Sequence, residues 1–339
     1  MGIVAKIGRL DIVALRYTGL MRKSDFVFRY HVRNWSAYNR ALVGRGSITF
    51  WIDEDAVSAW CNQGRSRGRG RPRIYTDSAV ECALVVKAVF HLSLRATQGF
   101  LESVVRLMDI VLLVPNYTTL SRRQSGLDRR WQTAPTKQAR HVVIDTTGLK
   151  VFGAGEWYVR KHGMGRGRRR TWRKLHLGVD EETKEIVAVD LTASNIHDGS
   201  HLPVMLDQVK DEVGQVSGDR AYDTGRCYQA VLARGAKPTI PPRCNARLSS
   251  VKDPPPFKAV RDAVLRRIKS EGRYPWRSSS GATRQSLAEN AVSRFKALLG
   301  VKLMSRRLNA QRVEAAVKCR VLNRMAALGM PISERIPVV

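Results

Sequence analysis

The sequence is short of acid, of long apolar runs and of paired cysteine. Asp and Glu number 29 against 59 Lys and Arg, giving a formal charge of 59 − 29 = +30. A compact fold so far from neutrality repels itself, so the deficit calls for a polyanionic partner, nucleic acid first and an anionic membrane surface second. The longest apolar runs, residues 110–114 and 82–86, fall far short of the ~20 residues a membrane span needs, so no transmembrane helix is expected. Five cysteines (Cys61, Cys82, Cys227, Cys244 and Cys319) stand scattered and odd in number. Without a Cys-x-x-Cys pair they make no zinc knuckle or redox motif, and buried free thiols in a reducing cytoplasm are expected. Asp11 and Arg16 interrupt the only apolar stretch of the first 20 residues, which argues against a secretory signal. There is no internal repeat.

The chain has 339 residues, 43% of them hydrophobic, which allows roughly two domains at ~100–200 residues each. Residues 1–74 read as a leader and basic linker, with Met21 a second plausible start and residues 1–20 dispensable. The linker ends in Arg65-Ser66-Arg67-Gly68-Arg69-Gly70-Arg71-Pro72-Arg73, where glycine entropy and like charge disfavour regular structure. Its Arg69 and Arg71 resemble an AT-hook, a strip suited to an A·T-rich minor groove; a merely solvated linker is the alternative. Residues 75–134 read as a helical domain. Asp77 or Ser78 can cap a first helix, whose Val80, Ala83, Leu84, Ala88 and Leu92 recur at helical steps, followed by helices over 93–108 and 117–127. Ser121, Arg122, Arg123 and Gln124 on the third resemble a helix-turn-helix reader of DNA; the alternative is a small bundle with a solvated basic face.

From residue 135 to 331 the texture is α/β. Strands are expected over 141–145, 174–180, 186–191 and 237–240, and helices over 201–213, 225–233, 285–299 and 311–328. A hairpin followed by alternating strand and helix predicts a mixed sheet with helices packed on it. A basic insertion occupies residues 249–281, and 332–339 form a tail.

The candidate chemistry lies in three acids. Asp145 ends an apolar strand, where a charge packs poorly and suits a metal, and Asp219 repeats the arrangement after Gly214-Gln215-Val216-Ser217-Gly218. Glu289 falls on a helix whose apolar face is Ala288, Ala291, Val292, Phe295, Leu298 and Leu299. It shares another face with Ser293 and Lys296, a cation aimed where a DNA phosphate could lie. Mg²⁺ is held by one or two carboxylates together with water and phosphate oxygens, and two such ions about 4 Å apart serve phosphoryl transfer. Taken alone, Asp145 or Asp219 could cap a turn, and Glu289 could pair with Lys296 or an arginine.

Basic residues mark a path for DNA. Residues 160–174 carry eight Lys and Arg, among them Arg160, Lys161, Arg168, Arg169, Arg170 and Lys174, beside Trp172, too charged for a core and suited to phosphates. In the insertion, Tyr274 and Trp276 stand among arginines, and Trp276 could stack on an unpaired base, with local packing as the alternative. Asp198 reads as an N-cap, Asp223 as a support for the acids, and His162 and His176 as structural or phosphate-contacting.

In these contexts the acids resemble those of the DDE transposases of bacterial insertion sequences, particularly the IS-five family. Asp145-Thr146-Thr147-Gly148-Leu149-Lys150-Val151-Phe152-Gly153, Gly155-Glu156-Trp157, Arg160-Lys161-His162 and Trp172-Arg173-Lys174-Leu175-His176-Leu177 resemble its first block. Asp219-Arg220-Ala221-Tyr222-Asp223-Thr224 resembles the second and residues 287–300 the third, and the likeness extends from Asn34 to Pro331. The resemblance implies an RNase H-like core with a helical N-terminal DNA-binding domain and a metal-binding catalytic triad of Asp145, Asp219 and Glu289. It also implies dependence on Mg²⁺ or Mn²⁺, two ions by the chemistry, and cleavage and strand transfer at terminal inverted repeats by a dimer or larger assembly on double-stranded DNA, in the bacterial nucleoid. The family commonly carries tyrosine and arginine seven and four residues before the glutamate, where this chain has Ala282 and Gln285. That departure bears on phosphate contacts rather than on the acids. A DNA-binding repressor without catalysis and a stand-alone nuclease remain as other readings.

Overall fold

The computed structural model describes residues 28–62, 72–127, 133, 135–152 and 172–337. The leader, Arg69, Arg71, Arg160, Lys161, His162, Arg168, Arg169 and Arg170 lie outside the described residues. The chain enters as strand β1 (Phe28–Val32) and short helices α1 (Trp35–Gly44), α2 (Ile48–Trp51) and α3 (Glu54–Ser58), where the sequence reading placed only leader and linker. Two indoles anchor α2 and the residues after α3: Trp51 and Trp60 are fully buried, with Nε1 of each donating to a carbonyl, of Arg45 at 2.9 Å and of Leu113 at 2.7 Å.

Helices α4 (Asp77–Val89), α5 (Leu94–Leu107) and α6 (Tyr117–Gln124) follow as expected from the periodicity. Their N-caps are Thr76, Ser93 and Asn116, each accepting from a backbone amide of the first turn, so the first helix is capped one residue earlier than Asp77. Nine residues of α4 are buried, so it is a core helix.

The sheet then begins. Strands β2 (Arg140–Val151), β3 (Trp172–Asp180) and β4 (Ile186–Ala193) form an antiparallel meander. Helix α7 (Asp198–Leu206) leads to β5 (Val213–Ser217), and α8 (Gly225–Ala233) leads to β6 (Lys237–Thr239). The insertion forms α9 (Pro256–Glu271) and α10 (Arg273–Ser280), a 3₁₀ turn spans Ala282–Arg284, and α11 (Gln285–Leu299), β7 (Lys302–Leu303), α12 (Leu308–Leu328) and β8 (Ser333–Pro337) complete the chain. Strand β8 pairs antiparallel with β1, so part of the expected tail is a strand.

The strand order β4-β3-β2-β5-β6 is that of an RNase H-like sheet, an antiparallel meander extended by two strands parallel to β2. Each face carries its own core, because residues alternate across the pleat. Val143, Leu149, Leu175, Leu177, Val179 and Leu191 pack with α11, α12 and α4 in one apolar cluster, which also takes in Trp51, Trp60 and Leu120. Val142, Ile144, Val187 and Ala188 pack with α7 and α8 on the other face. The apolar core is therefore continuous across residue 135, the expected domain boundary.

Cysteine usage is mixed. Cys82, Cys227 and Cys319 are buried, whereas Cys61 is half-buried and Cys244 exposed.

Candidate active site

Asp145 does not end its strand, as the sequence suggested, but sits within it, paired with Leu177 of β3. The reason is topological. On its other side β2 pairs with β5 only as far as Val143↔Ser217 and with β7 only from Lys150, so the edge of β2 is open around Asp145. The parallel register places Asp145 two residues beyond Val143 and Asp219 two residues beyond Ser217, so the two acids leave adjacent strands at the same level. Tight packing sets that departure: a Cβ on Gly218 would lie 2.8 Å from the buried Tyr222 ring, so only glycine lets the chain turn there.

Glu289 arrives from the face that Asp145 shares. Ala288, Ala291, Phe295 and Leu299 bury the inner side of α11 against that face of the sheet, which leaves Glu289 on the helix's exposed side. Asp145 is half-buried, and its Oδ1 accepts the Thr146 amide at 2.8 Å. Asp219 is exposed and caps the 3₁₀ turn at Arg220–Tyr222, its Oδ1 accepting the Ala221 amide at 2.9 Å.

Burial, first of all, raises the Asp145 carboxyl to about 6. The Thr146 amide opposes that rise, while the negative charges of Asp219, Glu289 and Asp198 add to it. Burial and the repulsion of Asp198, Asp145 and Asp219 also lift the Tyr222 hydroxyl well above its ordinary value. Asp145 thus lies within the electrostatic reach of Asp219 and Glu289, and an all-oxygen donor set of this kind suits a hard divalent cation. Among the described residues, no three His, Cys, Asp or Glu side chains stand close enough, as placed, to enclose an ion.

Several expected DNA contacts find partners inside the protein instead. Lys174 pairs with Asp198 at 2.8 Å and donates to the Ile196 carbonyl at 2.7 Å. Asp198 is therefore the first residue of α7 held by a lysine, not its N-cap, which is His197. On α6, Arg123 binds Asp77 and the Tyr75 carbonyl, and Gln124 is buried, donating to Ser305 and Ala310. Of the four reader positions only Ser121 and Arg122 are exposed. Trp276 is 2% exposed, which corrects its reading as a stacking ring; Arg273 and Arg277 of its helix are half-buried, and Tyr274, 76% exposed, is the accessible aromatic. Lys296 lies half-buried in the last turn of α11.

A polar group beneath the acids is built around Gln285, which the sequence marked only as a departure from the family. Gln285 donates to the Ile144 carbonyl at 3.0 Å, Arg284 pairs with Glu181 at 2.6 Å, and His141 bonds both Glu181 and, at 2.7 Å, Ser217. Burial holds the His141 imidazole below its ordinary value, against the pull of Glu181. The sequence carries no sign of these bonds beyond the polar run Arg284-Gln285 at the start of a helix and the place of Gln285 where the family commonly has arginine. A second group fixes the opposite face of the sheet. His176 bonds Thr192 at 2.8 Å and packs against His201, which pairs with Asp190 at 2.9 Å, so His176 is structural. Asp223 accepts two bonds from Arg261 and the Arg243 amide, holding the insertion beside the turn after Asp219.

Comparison with known proteins agrees with this arrangement. Two families, each described as a transposase DDE domain, match residues 43–154 and 136–324. An uncharacterized protein of Aquifex aeolicus is 32% identical over 84 residues, which are 25% of this chain and 24% of that protein, so the chain spans about a quarter of that relative's length. Among solved structures, the Drosophila P element transposase strand transfer complex matches 77% of this chain and 82% of its own at 10% identity. Its TM-score of 0.31 is too low for the likeness to carry weight. One family match covers more than half the sequence and contains all three acids, and the chain belongs to the DDE transposase family.

Proposed function

We propose that this protein is a transposase of the IS-five type that cuts and joins DNA at the inverted repeats of an insertion sequence, with Asp145, Asp219 and Glu289 as its metal ligands. The observation that supports the triad most directly is the parallel β2–β5 register, in which Asp145 and Asp219 each follow the last pair, Val143↔Ser217, by two residues. Like charges are gathered at a cost to the fold when a cation is to occupy the site. A pair of Mg²⁺ or Mn²⁺ ions bound there would activate the attacking oxygen and stabilise the leaving one in each displacement.

The chain's own residues supply position and charge. The rigid β2–β5 register sets the separation of the aspartates, α11 brings Glu289 over their sheet face, and the excess of +30 draws the DNA backbone in. Arg122 on α6 and Lys296 seven residues after Glu289 are the described cations offered to phosphates. Joining two transposon ends asks for a dimer or larger synaptic assembly in the bacterial nucleoid. No helix among the described residues is long and apolar enough to cross a membrane.

Strand-transfer assays with labelled inverted-repeat ends and Mg²⁺ test the reading. Asp145→Asn should abolish cleavage while DNA binding persists, and retained cleavage would overturn the triad. Binding without nicking by the wild type would instead identify a repressor, and nicking without joining a nuclease.

A further inference from the structure

We propose that Gln285 is a positioning residue, the central link of a polar clasp that fixes Glu289 relative to Asp145 and Asp219 before ion or DNA arrives. The inference rests on the reading of those three acids as metal ligands and adds how their spacing is set.

The helix carrying Glu289 touches the sheet first through its polar N-terminal turn. Gln285 opens α11, one turn ahead of Glu289, and its Nε2 donates at 3.0 Å to the carbonyl of Ile144, the residue before Asp145. That carbonyl lies just past the last β2–β5 pair, Val143↔Ser217, where the edge of β2 opens. A second arm reaches the other aspartate. Arg284 pairs with Glu181 at 2.6 Å, Glu181 bonds His141, and His141 bonds Ser217, two residues before Asp219, at 2.7 Å. A third contact holds the turn itself, with Gln215 of β5 donating at 2.9 Å to the Ser280 carbonyl. Gly281 follows at φ +83°, where a Cβ would come within 3.2 Å of the Gln215 amide. Ala282, 3% exposed, is enclosed in the same turn.

Of the two positions at which this chain departs from its family, one, Gln285, joins helix to sheet and the other, Ala282, is buried in the turn before the helix. Ala282 has no exposed surface to offer a phosphate, and the Gln285 amide is engaged with β2. Groups that orient metal ligands commonly change affinity by about 10–100-fold when removed, without touching the ion.

The test measures Mn²⁺ binding to the full-length, metal-free protein by electron paramagnetic resonance, beside thermal melting in EDTA. Gln285→Met keeps side-chain length and removes the donor, and Gln285→Arg restores a donor. About tenfold weaker Mn²⁺ binding in the Met variant, with recovery in the Arg variant, is the expected result. A role confined to stability would lower the melting temperature and leave the Mn²⁺ affinity of the folded protein unchanged. Wild-type affinity in Gln285→Met, or equal loss in both variants, overturns the proposal. Should Gln285→Met be unfolded at the assay temperature, Glu181→Gln breaks the second arm and carries the same comparison. Asp145→Asn separates the layers: unchanged Mn²⁺ affinity there would sink the metal-ligand reading itself, whereas its loss beside an unaffected Gln285→Met would remove only the clasp.

Discussion

Arg261 grips Asp223 with two prongs, Nε to Oδ1 at 2.7 Å and Nη2 to Oδ2 at 3.2 Å, and so pins the first helix of the insertion to the turn that follows Asp219. The Asp223 side chain is fully enclosed. Burial works to raise its carboxyl, and the bonds from Arg261 and the Arg243 amide outweigh burial and hold it below the ordinary value. A depressed acid stabilises the fold above its unfolded pKa, and that contribution is lost as pH falls through the folded pKa. Arg261→Ala should cost ~3 kcal/mol at pH 7 by stranding the carboxylate. The cost should shrink in acid, once Asp223 is protonated in both proteins; urea melts at neutral and acidic pH measure the difference.

Asp145 has the opposite linkage. Its carboxyl is raised to about 6, so the folded protein holds that proton more tightly than the unfolded chain. Stability is gained as pH falls through 6 and withheld above it. Asp145→Asn should therefore stabilise the metal-free protein by ~1–2 kcal/mol at pH 8, after allowance for solvent access, and make little difference below the unfolded pKa. Calorimetry in EDTA reads this directly. Added Mn²⁺ should then raise the melting temperature of the wild type and not that of the variant.

Gly218 lies between Ser217 of β5 and Asp219, and a methyl there would meet the Tyr222 ring at 2.8 Å. Because Tyr222 is 2% exposed, the ring has little room to yield. Gly218→Ala should cost ~1–3 kcal/mol by overpacking and lower cleavage beyond what the stability loss explains, since the shift falls next to Asp219. Denaturant midpoints and end-cleavage rates at a temperature where both proteins are folded separate the two effects.

Trp276 offers a check on the corrected reading of the insertion. As a core residue, its replacement by Ala should cost ~3–5 kcal/mol. A ring that stacked on DNA from the surface would leave the melting temperature unchanged and weaken binding instead, so unfolding and DNA titration of Trp276→Ala distinguish the two.

Local pattern, read along the chain, determined much of this protein. Helical periodicity placed α4, α5, α6, α8 and α11 within a few residues, because each buries an apolar face that recurs every three or four positions. Alternation and the turn at residues 181–185 marked the β3–β4 hairpin. Family resemblance reached what pattern could not: the residues alone left Glu289 one candidate among several, and the three sequence blocks singled it out.

Only the tertiary structure decided what depends on residues far apart in sequence. Asp145 looked like a strand terminus because apolarity stops there, yet β2 runs on to Val151 by pairing with β3 and then β7. Trp51 and Trp60 drew residues 48–61 out of the expected linker into the core, through contacts that no local pattern records. Arg123, Lys174 and Trp276 looked available to DNA for the same reason: a charge or a ring in sequence carries no sign of the partner that will satisfy or bury it. Gln285 shows the converse. As a polar residue at a helix start it looked like a missing phosphate contact, and its engagement with Ile144 exists only because the fold carries α11 across a strand edge 141 residues away in the chain.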